Sequence, residues 1–207
     1  GIKKLQYETR IRDFSMMVFK DSKRFESIAS KVISILYEYG DFPEKEHILG
    51  DLNLIKNETY VYFKGPGTIK IGEQIIDFGV IMCSIGFSSS ILPHINDIKI
   101  NCDALITIEN RTSFDSFDED GFFAIYLGGY HNEVRRDFIK KIYTRNSKKK
   151  YYHFGDIDAG GFYILEHLRK KTQVEFMPYK MDVQTLLKYK RYAKKLTEND
   201  RNRLERL

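Results

Sequence analysis

Little in this sequence suits a membrane or an oxidising compartment. Cysteine occurs only twice in 207 residues, as Cys83 and Cys102. The pair has neither CxxC nor metal-ligand spacing, so both are expected to be reduced, buried thiols. No apolar run approaches the about 18–20 residues that a membrane span requires, and no charged-then-apolar leader opens the chain. The expectation is a cytoplasmic protein without a membrane partner.

The composition, 42% hydrophobic and 30% charged, is that of a folded globular chain. At 207 residues, one large domain or two small ones can bury a core without covalent staples. The chain begins with Gly1, and Glu198 to Leu207 has a helical pattern without a terminator, so a piece of a longer protein is expected.

Charge is unevenly divided. The net is +5, yet Phe138 to Leu207 holds eighteen Lys/Arg against eight Asp/Glu, which leaves the earlier residues net acidic. The basic residues are densest from Lys140 to Lys150 and from Lys188 to Lys195, with tyrosines between them. Such runs suit either a solvated surface or a polyanion, and the asymmetry points to a polyanion near the C-terminal part.

Helical spacing of Phe25, Ile28, Val32, Ile35 and Leu36, with Asp21 or Ser22 before it and Gly40 after, predicts a helix over Ser22 to Tyr39. Thr59 to Lys64 and Thr68 to Ile71 read as strands joined in a hairpin by Gly65-Pro66-Gly67, followed by a third extended run from Ile75 to Phe78. Ser88 to Ile98 reads as a short helix interrupted by Pro93. Residues 1–98 thus form an α+β module without assignable chemistry.

Residues 99–207 change style. Apolar runs at Ala104 to Ile108, Phe122 to Leu127, Tyr151 to Phe154 and Val174 to Met177 alternate with helical patterns at His131 to Thr144, Gly160 to Lys171 and Val183 to Lys194. Strands apolar on both faces, alternating with helices, predict a Rossmann-like α/β domain with a parallel sheet and flanking helices. Ligands in such sheets bind outside the carboxyl ends of the strands.

Three acids follow strands there. Glu109 follows Ile108, and Asp156 and Asp158 follow Phe154 in the run Gly155-Asp156-Ile157-Asp158-Ala159-Gly160-Gly161. Residues two apart in extended chain face one way, and the glycines permit a sharp turn into a helix. If their strands are neighbours, the three carboxylates converge and repel. A hard divalent cation with oxygen ligands, Mg2+ or Mn2+, answers that repulsion and equips a site for phosphodiester cleavage. The plainer alternative is that the aspartates cap the following helix.

A glutamate after one strand and a DxD after a later one resemble the Toprim domain of topoisomerases and primases. The wording Ile108-Glu109-Asn110-Arg111-Thr112-Ser113-Phe114, Tyr126-Leu127-Gly128-Gly129-Tyr130 and Tyr152 to Leu165 further resembles the C-terminal part of JetD, the nuclease subunit of the Wadjet plasmid-defence system. Phe19 to Phe25 and Met181-Asp182 share the likeness, which runs from about Phe19 to Leu187. That family is related in architecture to the A subunit of topoisomerase VI.

The resemblance implies a metal-dependent endonuclease cutting double-stranded plasmid DNA alongside an SMC-like JetABC motor complex. Glu109, Asp156 and Asp158 would be its catalytic metal ligands, and a homodimer is expected by analogy. The family's N-terminal region, which joins the motor, is expected to be missing from this chain. Arg111, Lys148, Lys149, Lys150 and Arg169 are the candidate DNA contacts, since guanidinium and ammonium groups match phosphate oxygens. His153 and Asp182 are possible accessories. The imidazole suits either proton transfer or a hydrogen-bonded core position, and the carboxylate suits either the site or a helix cap.

Two further classes stay open. A non-catalytic DNA-binding or assembly module would use the same basic surface. A topoisomerase VI-like tyrosine transesterase would need a paired-tyrosine motif after Arg-Asp, which is absent; Tyr37-Glu38-Tyr39 lies in an amphipathic pattern, so water is the expected nucleophile. A receiver-like phosphoacceptor would need a lysine on a later strand that no run here offers clearly.

Overall fold

The computed structural model describes residues 5, 7–40, 42, 45–81, 83–129, 131–193, 195–196 and 201. The helical pattern expected over Glu198 to Leu207 lies outside them, Arg201 excepted. Among the described residues no helix is long and apolar enough to cross a membrane. Cys83 is exposed and Cys102 half-buried, so neither is the buried thiol expected of it.

The chain divides into two compact units. The first comprises residues 1–60 with 88–90 and 132–134. It contains β1 (Thr9–Arg10), α1 (Ile11–Phe19), α2 (Arg24–Tyr39), α3 (Ile48–Asp51) and β2 (Leu54–Ile55), with β1 and β2 parallel. Phe14 meets Phe25 edge to face at 5.1 Å, and both pack with Leu54, Ile28, Ala29 and Val32. The buried Ser15 hydroxyl donates to the Asp21 carbonyl and accepts the Phe25 N–H, tying α1 to the start of α2. Ile35, expected on the apolar face of α2, is exposed: the buried stripe runs through positions 25, 28, 29 and 32 and leaves it aside.

The second unit, residues 61–87, 91–131 and 135–207, carries two sheets. One has six strands in the order β11-β10-β8-β9-β3-β6: β3 (Tyr60–Lys64), β6 (Ile85–Ser88), β8 (Ala104–Ile108), β9 (Phe122–Tyr126), β10 (Lys150–Phe154) and β11 (Met177–Pro178). From β11 to β9 the strands are parallel, and β3 pairs antiparallel to β9. The other is antiparallel, in the order β5-β4-β7, from β4 (Gly67–Ile71), β5 (Gln74–Asp77) and β7 (Ile95–Ile100).

The hairpin expected across Gly65-Pro66-Gly67 does not form, because β3 and β4 belong to different sheets. A Cβ on Gly65 would stand 2.7 Å from the Phe122 carbonyl oxygen, and one on Gly67 2.7 Å from that of Lys99. Each glycine packs on a different partner strand, which makes the link a crossover. The true hairpin is β4–β5, turning at Gly72, whose φ is +57°. The helix expected over Ser88 to Ile98 is a short 3-10 segment, Ser89–His94, followed by β7. Pro93 lacks the N–H that would continue it as an α-helix.

Every residue of β8 is buried, as expected of a central strand covered on both faces. Its connection through α4 (Arg111–Ser116) leads to β9. From β9 the chain returns through α5 (Glu133–Asn146) past β8 to β10, and through α6 (Ala159–Thr172) to β11. Right-handed crossovers running in opposite directions place α4 on one face of the sheet and α5 and α6 on the other. Phe114 of α4 packs with Ile106, Ile108 and Ala124 on one face, while Phe138 of α5 stacks on Phe63 at 5.4 Å on the other.

The strand expected over Val174 to Met177 is reduced to β11, with Val174 and Phe176 buried ahead of it. Pro178 cannot donate to a ladder, which suits its place at the sheet edge. The last expected helix is α7 (Val183–Lys188) and a 3-10 turn, Lys190–Tyr192; Lys194 lies outside the described residues.

Candidate active site

Strands β8 and β10 are parallel neighbours in the register Lys150↔Ala104 to Phe154↔Ile108. Their outgoing connections diverge, β8 toward β9 and β10 toward β11. A crevice opens at the carboxyl edge of such a pair, where the strand order reverses. Glu109 and the segment 155–158 emerge side by side there.

The backbone locks them together. Glu109 N–H donates to the Phe154 carbonyl at 3.0 Å, and Asp156 N–H donates to Glu109 Oε2 at 3.3 Å. On the other flank Leu127 N–H donates to the Ile108 carbonyl at 2.7 Å, and Gly129 N–H to that of Glu109 at 3.2 Å. Gly128 and Gly129, both at φ +71°, make the turn this needs. Gly155 N–H donates to Met181 Sδ at 3.3 Å, so the buried thioether props the DxD loop from below.

Burial raises the Glu109 carboxyl to about 7, with the charges of Asp156 and Asp158 adding to the effect. Among the described residues no cation is a cause of that shift. Asp158 also does what the plainer reading expected: it is the N-cap of α6 and accepts the Gly161 N–H at 2.8 Å. Among the described residues no three His, Cys, Asp or Glu side chains stand close enough to enclose an ion as they are oriented. The donors nonetheless suit a hard divalent ion: all are carboxylate oxygens, and the charges of Asp156 and Asp158 act on Glu109.

His153 precedes the acids on β10 and is fully buried. It faces Thr107 across the β8–β10 register, with Thr107 Oγ1 2.9 Å from His153 Nδ1. With the Thr107 hydroxyl proton directed to the Tyr152 carbonyl at 3.3 Å, its oxygen accepts from Nδ1–H. In that tautomer Nε2 carries the lone pair, and it is buried with no hydrogen-bond partner among the described residues. Desolvation, with Arg169 adding, lowers this imidazole to about 4.

The remaining candidates are placed elsewhere. Lys148, Lys149 and Lys150 enter β10 at its amino end, and the strand, roughly 13 Å long at 3.3 Å per residue, lies between them and the segment that carries the acids. Arg111 Nε donates to both Asp115 carboxylate oxygens at 3.0 Å, and its guanidinium lies 4.7 Å from the Tyr62 ring centre. Arg169, in the last turn of α6, donates to the Phe176 carbonyl and pairs with Glu166. Asp182 caps α7 by accepting the Thr185 N–H at 2.7 Å, a bond that holds its carboxyl below the usual range. Asn110 likewise caps α4, accepting from Thr112 and Ser113.

Two features escaped the sequence reading. Thr107 is the one polar residue in an otherwise apolar strand, and that oddity was a usable signal. The rings of buried His131 and half-buried His167, 4.9 Å apart, come from a loop and from α6, and nothing in their spacing announces the pairing.

The family model described as "Wadjet protein JetD, C-terminal" matches residues 80–207. Wadjet protein JetD of Bacillus cereus (strain Q1) is 28% identical over 200 residues, which is 93% of this chain and 49% of that relative. The chain thus spans about half the length of the curated relative it matches.

Proposed function

The chain belongs to the Wadjet JetD C-terminal family, and on that premise we propose that it is the nuclease part of a plasmid-defence endonuclease with a Toprim-type domain preceded by a smaller α+β module. The observation that carries this reading is Glu109 Oε2 accepting the Asp156 N–H at the carboxyl ends of β8 and β10, with the charges of Asp156 and Asp158 raising its carboxyl.

Glu109, Asp156 and Asp158 would hold Mg2+ or Mn2+. Bound there, the ion supplies positive charge to a phosphoryl oxygen and acidifies a water. The chain's own contribution is placement. The parallel register sets Glu109 beside the DxD loop, and at Gly161 the chain passes too close to the Asp156 carbonyl oxygen for a side chain. Hydrolysis would join the water oxygen to phosphorus and release the sugar oxygen, with no tyrosine intermediate. Double-stranded plasmid DNA as substrate, an SMC-like motor as partner and a two-fold dimer belong to the same reading, by analogy with the family. The basic runs, including Lys148 to Lys150, would hold backbone phosphates away from the cut.

A second reading, an assembly module whose acids only cap helices, draws on the Asp158–Gly161 and Asp182–Thr185 bonds. Supercoiled plasmid incubated with Mg2+ or Mn2+ separates the two. Nicking or linearisation that disappears in Glu109→Ala and Asp156→Ala is the expected result. Cleavage that survives both substitutions overturns the assignment of the site. DNA binding without any cleavage favours the assembly module.

A further inference from the structure

The site holds one group that three-carboxylate chemistry does not use. A Cβ on Gly155 would stand 2.7 Å from Glu109 Oε2 and 2.8 Å from His153 Nε2. The carboxylate and the imidazole therefore border the same small space over Gly155, at the crevice end of β8 and β10. Nε2 is buried with no hydrogen-bond partner among the described residues. An orphaned buried acceptor is unfavourable by about 1–3 kcal/mol, so such a nitrogen calls for a partner: a water, an ion or a ligand.

The opposite nitrogen is arranged as a metal-binding histidine requires. Such a ligand donates its second ring N–H to a fixed acceptor, which sets the tautomer and the ring plane. In the tautomer with its proton on Nδ1, His153 donates to Thr107 Oγ1, which itself bonds to the Tyr152 carbonyl. The bond to Thr107 keeps Nε2 at the space over Gly155 that Glu109 Oε2 also borders.

We propose that His153 Nε2 is a ligand of the same divalent ion as Glu109, and that this nitrogen gives the site a preference for a transition-metal ion over Mg2+. The inference rests on the metal-site reading above. Mg2+ favours an all-oxygen octahedron and gives up its waters reluctantly, whereas imidazole nitrogen binds transition ions well. A donor set of carboxylates alone discriminates weakly between Mg2+ and Mn2+. Adding one neutral nitrogen shifts the balance without adding charge.

The test uses Mn2+ and Mg2+ as probes on the full chain, with no DNA present. Pulsed EPR of the Mn2+-loaded protein reads directly bound 14N, and titration calorimetry reads both affinities. The expected result is a 14N coupling that vanishes in His153→Asn, whose amide N–H replaces Nδ1–H toward Thr107 but which has no Nε2. Mn2+ affinity should fall about tenfold while Mg2+ affinity stays within about twofold. Thr107→Val, which frees the ring while leaving Nε2 intact, should broaden the 14N signal and weaken Mn2+ by a smaller factor. Mn2+ bound in a Glu109-dependent way without 14N coupling, or with equal losses for both ions in His153→Asn, overturns this inference and leaves the carboxylate site standing. Absence of any Glu109-dependent binding of either ion overturns both.

Discussion

Thr107 and His153 stand opposite each other in the register of β8 and β10, their side chains joined at 2.9 Å between Oγ1 and Nδ1. Both residues are fully buried. Replacing Thr107 by Val keeps the shape and strands the imidazole N–H, so a stability loss of about 1–3 kcal/mol is expected. Thr107→Ser, which keeps the hydroxyl, should recover most of it. Urea unfolding of the three proteins measures both, and a neutral Val substitution would show that the bond is not what orients the ring.

The glycines of the DxD loop should respond differently to one added methyl. At Gly155 the new Cβ would press on Glu109 Oε2, the far end of a side chain that can swing, and on the more rigid His153 ring. At Gly161 it would stand 2.1 Å from the Asp156 carbonyl oxygen, which is backbone. Gly155→Ala is therefore expected to leave a folded protein that binds Mn2+ at least tenfold more weakly. Gly161→Ala should lose about 2 kcal/mol or more, because the strand-to-helix turn itself must shift. Thermal unfolding beside metal titration distinguishes the two, and equal behaviour would contradict the geometry.

Much of this arrangement is legible in the residues, for a physical reason. Ala104 to Ile108 and Tyr151 to Phe154 are short apolar runs whose neighbours are polar, so their lengths and their carboxyl ends are local information. What escapes is pairing between distant segments. Gly65-Pro66-Gly67 has the composition of a turn, and only the partners of its two flanking glycines, Phe122 and Lys99, reveal a crossover. The Thr107–His153 pair depends on the register of two strands 46 residues apart, which no spacing encodes. Asp158 illustrates a different limit, since a carboxylate at a helix start supports both the capping and the ligand reading, and here its cap is visible in the structure.

Glu109 gives the metal-free protein a pH dependence with a definite sign. Its carboxyl lies near 7 in the folded state, raised by burial and by Asp156 and Asp158, against about 4.5 for the group in water. Between those values the folded state holds the proton more often than the unfolded one, so the Glu109 contribution to stability falls as pH rises and is flat on either side. Glu109→Gln mimics the protonated form. It should match the parent near pH 5 and exceed it near pH 8 by on the order of 1 kcal/mol, allowing for solvent screening of a partly exposed carboxyl. Denaturant titrations in chelator at the two pH values read this difference. A variant less stable than the parent at pH 8 would contradict the charge crowding.

Lys148, Lys149 and Lys150 lie at the opposite end of β10 from the acids, and this separation makes their role separable by experiment. A contact to phosphate contributes through counterion release, so removing it should flatten the salt dependence of DNA binding by about one unit per lysine lost. Replacing all three by Ala is expected to weaken DNA binding nearly uniformly across sequences. Mn2+ affinity at Glu109 should stay within about twofold, because roughly 13 Å of strand and solvent screening lie between the lysines and the acids. Arg111 behaves otherwise: its guanidinium is paired with Asp115 and stacked on Tyr62, so Arg111→Ala also leaves Asp115 without its partner. Filter binding from low to moderate salt, run on the same preparations as the metal titration, gives both numbers. An unchanged salt slope in the triple variant would assign Lys148 to Lys150 to a solvated turn and move the phosphate contacts to the exposed basic residues after α7.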